Sequence, residues 1–224
     1  SNETSPLWIG RLLEVHVVIL LGGSSHVGKT LVAQRLMERI GFPYLSLDHL
    51  KMGFIRSGMT TLTVNDDWEM RYWMWPFVAE IVKTAIENHQ NLIVEGCYIP
   101  HNWKDSFTAQ FDSPKPYDSI PPTTNNPESG ICSVDYMSNI RSAFIVMSRS
   151  YIEQHFDLIK DYANVIEKRL DDSGLDMERL VMCSEGFKED CIANGTPIVE
   201  IGENEDETYD VDSLVSRVLK ALEL

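Results

Sequence analysis

The chain has 224 residues, 19 of them basic and 34 acidic, for a formal net charge of −15 and an isoelectric point near 4.7. That length fits one domain with room for an insertion, and a core of this size needs no disulfide or structural metal. The acidic balance argues against nucleic acid and anionic membranes as partners, because phosphate backbones are bound by basic faces. A hydrophobic share of 43% with a mean hydropathy of −0.17 excludes global disorder.

The first apolar run, Val15–Leu21, is broken by His16 and is far too short to cross a membrane. The stretch before it lacks the basic region of a secretory leader. Cys97, Cys132, Cys183 and Cys191 share no C-x-x-C spacing, so they read as idle thiols, and a reducing cytoplasm is the expected location.

In chain order, Val15–Leu21 has the continuous apolar character of a strand covered on both faces. A Gly-rich turn follows at Gly22–Gly28, then a helix over Lys29–Ile40 that stops at Gly41. Phe42–Leu47 predicts a second strand, and Asn91–Glu95, Ala143–Ser148 and Pro197–Ile201 predict three more. Long helices are expected over Asp66–His89, Tyr151–Asp171, Asp176–Asn194 and Val211–Leu222. Strands alternating with helices predict an α/β fold, a five-stranded parallel sheet flanked by helices on both faces.

Two stretches break this rhythm. Residues 110–130 hold five of the ten prolines and are expected to be an exposed insertion, an active-site lid or a disordered loop, dispensable for nucleotide binding. Within Asp66–His89, Trp68, Tyr72, Trp75, Ala79, Val82 and Ile86 recur at helical spacing, while Trp73, Met74 and Phe77 widen the apolar surface and Pro76 predicts a kink. That surface suits core packing, a substrate-side wall or a dimer contact.

Gly23-Ser24-Ser25-His26-Val27-Gly28-Lys29-Thr30 matches G-x-x-x-x-G-K-[ST]. Glycines let the backbone curl until successive N–H groups point inward, and the helix N-terminus behind them adds positive potential for phosphate oxygens. Lys29 is placed to reach the β- and γ-phosphates of ATP, and the Thr30 hydroxyl to ligate Mg²⁺. His26 lies within the loop, where a backbone role is expected rather than acid–base chemistry. Chance would give the pattern in on the order of 1% of chains this long. Here it also falls between a strand and a helix, the context that its chemistry requires.

On these residues the sequence resembles the P-loop kinases of the nucleoside-monophosphate-kinase-like group, adenylate kinases among them. It is similar to 2-phosphoglycerate-kinase-like proteins and, more distantly, to zeta-toxin-like sugar-nucleotide kinases. Ser46-Leu47-Asp48-His49-Leu50-Lys51 resembles the start of that group's acceptor-binding segment, with Lys51 where adenylate kinases carry Arg. Val94-Glu95-Gly96-Cys97-Tyr98-Ile99-Pro100 resembles its Asp-Gly-aromatic-Pro-Arg strand end, with Glu for Asp and His101 after the proline. The resemblance implies Mg²⁺-ATP on Gly23–Thr30, a helical acceptor-binding segment over about residues 48–90, and a lid over about residues 160–180.

Asp48, just past the second strand, is expected either to accept a proton from an acceptor hydroxyl or orient it, or to cap a helix. Glu95, ending the strand beside the phosphate-loop strand, is expected to hold a Mg²⁺-bound water or an acceptor group. Lys51 and Arg56 are candidates to clamp an acceptor phosphate or carboxylate, or else are solvated helix charges. Arg149, Lys168, Arg169 and Arg179 fall where this group places its lid, whose arginine stabilises transition-state charge. Spacing does not choose among them. Arg169, which precedes the hinge-like Leu170–Gly174, is the catalytic candidate.

The expected activity is therefore transfer of the γ-phosphate of Mg-ATP to a small molecule, phosphoglycerate-, nucleotide- or sugar-like, by a monomer or homodimer. A switch GTPase would require a base-reading N-K-x-D segment, which the sequence lacks. The remaining class is an ATP-binding or ATP-hydrolysing module without a small-molecule acceptor.

Overall fold

The computed structural model describes residues 16–108, 134–162, 175–204 and 208–224. The first half runs β1 (Val18–Gly23), α1 (Lys29–Ile40), β2 (Tyr44–Ser46), α2 (Leu47–Arg56), α3 (Asp67–Glu87) and β3 (Leu92–Glu95). The second half runs α4 (Asp105–Thr108), a 3₁₀ turn (Met137–Asn139), β4 (Ile140–Met147), α5 (Arg149–Tyr162), α6 (Met177–Ala193), β5 (Ile198–Ile201) and α7 (Val211–Ala221).

The five strands form one sheet in the order β2-β3-β1-β4-β5, and every neighbouring pair is parallel. Parallel neighbours need crossover connections, and helices supply them. β1 is buried along its whole length, and its side chains alternate between two cores. Ile19 and Leu21 pack with Val32 and Leu36 of α1 and with Leu214 and Val218 of α7. Val18 and Leu20 pack on the other face with Met70, Met74 and Val78 of α3 and with Phe144 of β4. Truncating a fully buried residue such as Leu20 to alanine costs about 2–5 kcal/mol. From β1 the chain turns first to one side of the sheet and then, with β4, to the other. The carboxyl end of β1 therefore lies at the point where strand order reverses, the place where open α/β sheets bind ligands.

The expected α/β class and all five strands are present, with shifted edges. β1 continues through Gly22 and Gly23, residues whose composition reads as turn. α2 is an element that the strand–helix rhythm did not predict; it starts directly at the end of β2. α3 continues through Pro76 as one helix. Trp75, Ala79, Val82 and Ile86 of the expected stripe are buried, and Met70, Met74 and Val78 extend the buried face, whereas Trp68 and Tyr72 are exposed, which corrects the expectation at the first turns of the helix. Trp73 and Phe77 instead pack on Phe54 of α2, with ring centroids 5.0 and 5.2 Å away. α5 bends at His155 (φ −119°, ψ 16°), and the expected continuation to Asp171 lies outside the described residues. The proline-rich insertion, residues 110–130, lies outside them as well.

Candidate active site

Two glycines set the shape of the loop after β1. Gly23 has φ +129°, and a Cβ there would drive into the Ile145 backbone of β4. Gly28 has φ +80° in the left-handed region, where only glycine is comfortable, and a Cβ there would meet the Tyr209 hydroxyl. Between them His26 also lies at positive φ (64°), a conformation that costs a non-glycine residue about 1–3 kcal/mol. Strain of this kind persists only where surrounding structure imposes it. Val27 supplies part of that structure by burying its side chain in the core beside α1.

Ser24 fastens the loop from the other side. Its N–H donates to the Ile145 carbonyl (3.1 Å), and its hydroxyl donates to Ser184 Oγ of α6 (3.3 Å). Ser184, fully buried, in turn accepts from the Met147 N–H (2.8 Å) and donates to the Met147 carbonyl (2.7 Å). One serine thus ties the phosphate-type loop to the end of β4. Sequence reading missed it, because a single serine inside a helix carries no local signal. Lys29 is buried, with Nζ donating 2.6 Å across the loop to the Ser24 carbonyl.

Thr30 and Glu95 meet under this loop. The Thr30 hydroxyl donates to Glu95 Oε1 (3.2 Å), and Glu95 is wholly buried at the end of β3. Its other oxygen, Oε2, is buried outside good hydrogen-bond geometry, and the donor beside it is the hydroxyl of Ser46, the residue paired with Glu95 in the β2–β3 register. Burial pushes the Glu95 carboxyl above its usual range; Ser46 and Lys29 pull it down, and Asp48 pushes it up. Asp48 stands half-buried in the first turn of α2, so it is not the cap of that helix, a position that Ser46 fills. Asp48 and Glu95 therefore share the carboxyl edge of the sheet with Lys29 and Thr30, as the sequence reading placed them.

The other predicted cations fare differently. Lys51 is buried and donates to Asp67 Oδ1 (2.6 Å), the Tyr98 hydroxyl (2.6 Å) and the Val64 carbonyl (3.2 Å). With its donors engaged it holds α2 to α3 and to the loop after β3, and it presents no free charge to an acceptor. Arg56 is exposed at the far end of α2. Arg71 of α3, which sequence reading did not single out, reaches the cleft instead: its Nη2 donates to the Cys97 carbonyl (3.0 Å). Burial raises the Cys97 thiol to about 11, with Lys29 and Arg71 acting to lower it and Asp48 and Asp67 to raise it. Those four charges surround the first residues after β3.

On the side of the sheet toward β5, Arg149 opens α5 beside a cavity of about 440 Å³. It pairs with Glu185 (3.0 Å), Glu178 (3.5 Å) and Glu153 (3.6 Å), and Glu185 and Glu178 push its guanidinium further up. Arg179 is exposed in the first turn of α6. Lys168 and Arg169 lie outside the described residues.

No protein-family model and no curated protein matches this sequence. Among solved structures, the chain is similar to a gluconokinase from Sinorhizobium meliloti 1021 at 16% identity and a TM-score of 0.49, over 92% of this chain and 91% of that one. It is similar to a shikimate kinase from Bacteroides thetaiotaomicron at 16% identity and a TM-score of 0.48, over 93% and 99%. A deoxyadenosine kinase from M. mycoides aligns at 12% identity and a TM-score of 0.48, over 92% and 99%.

Proposed function

We propose that this chain is an ATP-dependent phosphotransferase acting on a small-molecule acceptor. The observation that carries the reading is the join between Thr30 and Glu95. A hydroxyl and a buried carboxylate meet directly beneath the lysine of a phosphate-type loop, and the second carboxylate oxygen has only the Ser46 hydroxyl beside it, outside good hydrogen-bond geometry. An acceptor-only oxygen kept in that state suits a hard cation or the water bound to it. Among the described residues no group of three or more His, Cys, Asp or Glu side chains is arranged to hold a metal alone. Mg²⁺ at Thr30 and Glu95 would therefore complete its shell with nucleotide phosphate oxygens and water. When bound, it would neutralise charge on the phosphates.

The chain's own part follows from placement. Backbone N–H groups of Gly23–Thr30 and the positive end of α1 bind the phosphates. Lys29, whose ammonium already sits on a loop carbonyl, exchanges that carbonyl for β- and γ-phosphate oxygens. Asp48, at the edge of the cleft, orients an acceptor hydroxyl or takes its proton. Arg149, Arg169 and Arg179 remain the candidates for closing over the γ-phosphate; of these, Arg149 would first have to leave its carboxylates. The acidic surface disfavours nucleic acid as the substrate. No helix among the described residues is long and apolar enough to cross a membrane.

The test is an acceptor screen that follows ADP release with Mg-ATP and nucleoside monophosphates, phosphoglycerates, sugars, sugar acids and sugar nucleotides. Acceptor-dependent ADP with a phosphorylated product is the expected result. ADP formation indifferent to every acceptor would identify an ATP-hydrolysing module instead, and absence of ATP binding would end the reading.

A further inference from the structure

We propose that the cavity beside β5 binds a small zwitterion, an ammonium and a carboxylate on one short carbon frame as in an amino acid, and that its occupancy is felt at the phosphate-type loop through Ser184.

The cavity holds about 440 Å³, within the roughly 300–1,000 Å³ of small-molecule sites. It stands apart from the candidate active site. Asp48 and Glu95 lie at the ends of β2 and β3 on one side of β1, whereas this cavity lies against β4 and β5 on the other. Alternation along β5 helps to shape it. Val199 and Ile201 enter the core with α1 and α7, so Glu200 between them turns to the opposite face and meets Lys188 of α6.

Charge defines the occupant. Of the described residues, Arg149, Lys188, Glu153, Glu185 and Glu200 bring two cations and three carboxylates to the wall. Arg149 donates from Nε and Nη2 to the two oxygens of Glu185, each at 3.0 Å. Lys188 donates to both oxygens of Glu200 (2.9 and 2.7 Å). Glu153 is held less closely, 3.6 Å from Arg149. The row from Arg149 through Glu185 and Lys188 to Glu200 therefore alternates in sign, with Glu185 and Lys188 one helical turn apart on α6. A purely anionic molecule meets three carboxylates there, and a purely cationic one meets both cations. A zwitterion finds a partner for each end, its carboxylate on Lys188 or Arg149 and its ammonium on Glu153 or Glu200. The existing pairs do not bar its entry, because ion pairs this open to solvent are held weakly and exchange partners at little cost.

The link to the loop is short. Met147 lines the cavity and exchanges two hydrogen bonds with Ser184. Ser184 is the chain neighbour of Glu185 and accepts from the Ser24 hydroxyl of the loop. A ligand that bridges α5, α6 and β5 therefore fixes the same turn of α6 that fixes Ser24. Nucleotide and zwitterion should each raise the other's affinity by one common factor.

The experiment titrates the full chain by calorimetry with the common α-amino acids and with 5-aminopentanoate. Each binder is matched against its amine and its acid, which for 5-aminopentanoate are pentylamine and pentanoate. ATP is then titrated with and without the tightest zwitterion. The expected result is saturable binding at least about 10-fold tighter than that of either singly charged analogue, the size of one charge-assisted hydrogen bond. With the zwitterion present, ATP should bind about fivefold tighter or more. The double variant K188Q/E200Q removes both charges of one pair together. It should weaken the zwitterion about 10-fold or more, while the affinity for ATP alone stays within about twofold because the sites are separate. S184A should keep the zwitterion and lose its effect on ATP. If S184A does not fold, S24A carries that arm, because it deletes only the hydroxyl at the other end of the link.

Absence of zwitterion binding overturns the proposal, as does equal binding of a singly charged analogue or undiminished binding in K188Q/E200Q. Zwitterion binding that leaves the affinity for ATP unchanged overturns the link through Ser184. If ATP itself does not bind, the phosphotransferase reading falls, while loss of the zwitterion in K188Q/E200Q still supports the site.

Discussion

Replacing Glu95 with glutamine should stabilise the protein without nucleotide while disabling it as an enzyme. The substitution preserves shape. The glutamine carbonyl still accepts from Thr30, and its amide takes the position of Oε2, where it can donate to the neighbouring Ser46 hydroxyl. A buried carboxylate oxygen held only weakly by that hydroxyl is thereby removed, which relieves on the order of 1 kcal/mol. A kcal/mol moves Tm by about 2–4 °C in a chain of this length, so the gain should be a few degrees at pH 8. The sign with pH follows from burial. The carboxyl of Glu95 titrates above its ordinary value of 4.5 in the folded state, so the fold disfavours its ionised form. Below that ordinary value both states carry the proton, and the variant should have no advantage. As pH rises past it, the unfolded chain ionises first and native stability falls relative to the variant, until the folded carboxyl has ionised too. Thermal unfolding of both proteins from pH 4 to 8 measures this directly. In Mg-ATP the order should reverse, and kcat should drop about 10²–10⁴-fold. An E95Q protein that melts below wild type at pH 8 without nucleotide would refute the reasoning, because it would mean that the carboxylate is well satisfied where it lies.

Lys29→Met should lower turnover by at least about 10²–10³-fold, the effect of losing one preorganised donor. Because Lys29 is buried on the Ser24 carbonyl, the variant should also lose about 1 kcal/mol of stability without nucleotide, read as a lower denaturant midpoint. Asp48→Asn should cut kcat about 10²–10⁴-fold with the KM for ATP preserved, and a wild-type rate would move the acceptor hydroxyl elsewhere. Ser184→Ala leaves the Met147 N–H and carbonyl without their partner, so it should cost about 1–3 kcal/mol and weaken ATP binding measured by calorimetry; unchanged affinity would show that the loop holds its shape without α6.

What the sequence made legible was the part of the site written in neighbouring residues. A phosphate-type loop needs a strand before it and a helix after it, and Gly23–Thr30 carries both signals in one run. Asp48 and Glu95 were locatable because each closes a short apolar segment, and parallel strands bring such ends to one edge. The later part of the α3 stripe, Trp75 to Ile86, was legible in its own residues, but its first turns were not. Apolar side chains surround that helix so widely that only the presence of α2, with Phe54 covering Trp73 and Phe77, decides which of them count as core. The fate of each cation was still less local. Lys51 sits one helical turn from Asp48 and looks placed to serve it, yet its partners Asp67 and Tyr98 lie 16 and 47 residues away, and they take its charge out of the cleft. Arg71 stands in an aromatic stretch that reads as packing, yet its nearest acceptor is a carbonyl 26 residues on, and no described carboxylate reaches it. Which carboxylate or carbonyl comes within reach of a cation is decided by the fold, as Lys29 on the Ser24 carbonyl and Lys51 on Asp67 both show. For Arg71 that choice belongs to its folded surroundings, and no spacing within its own helix encodes it.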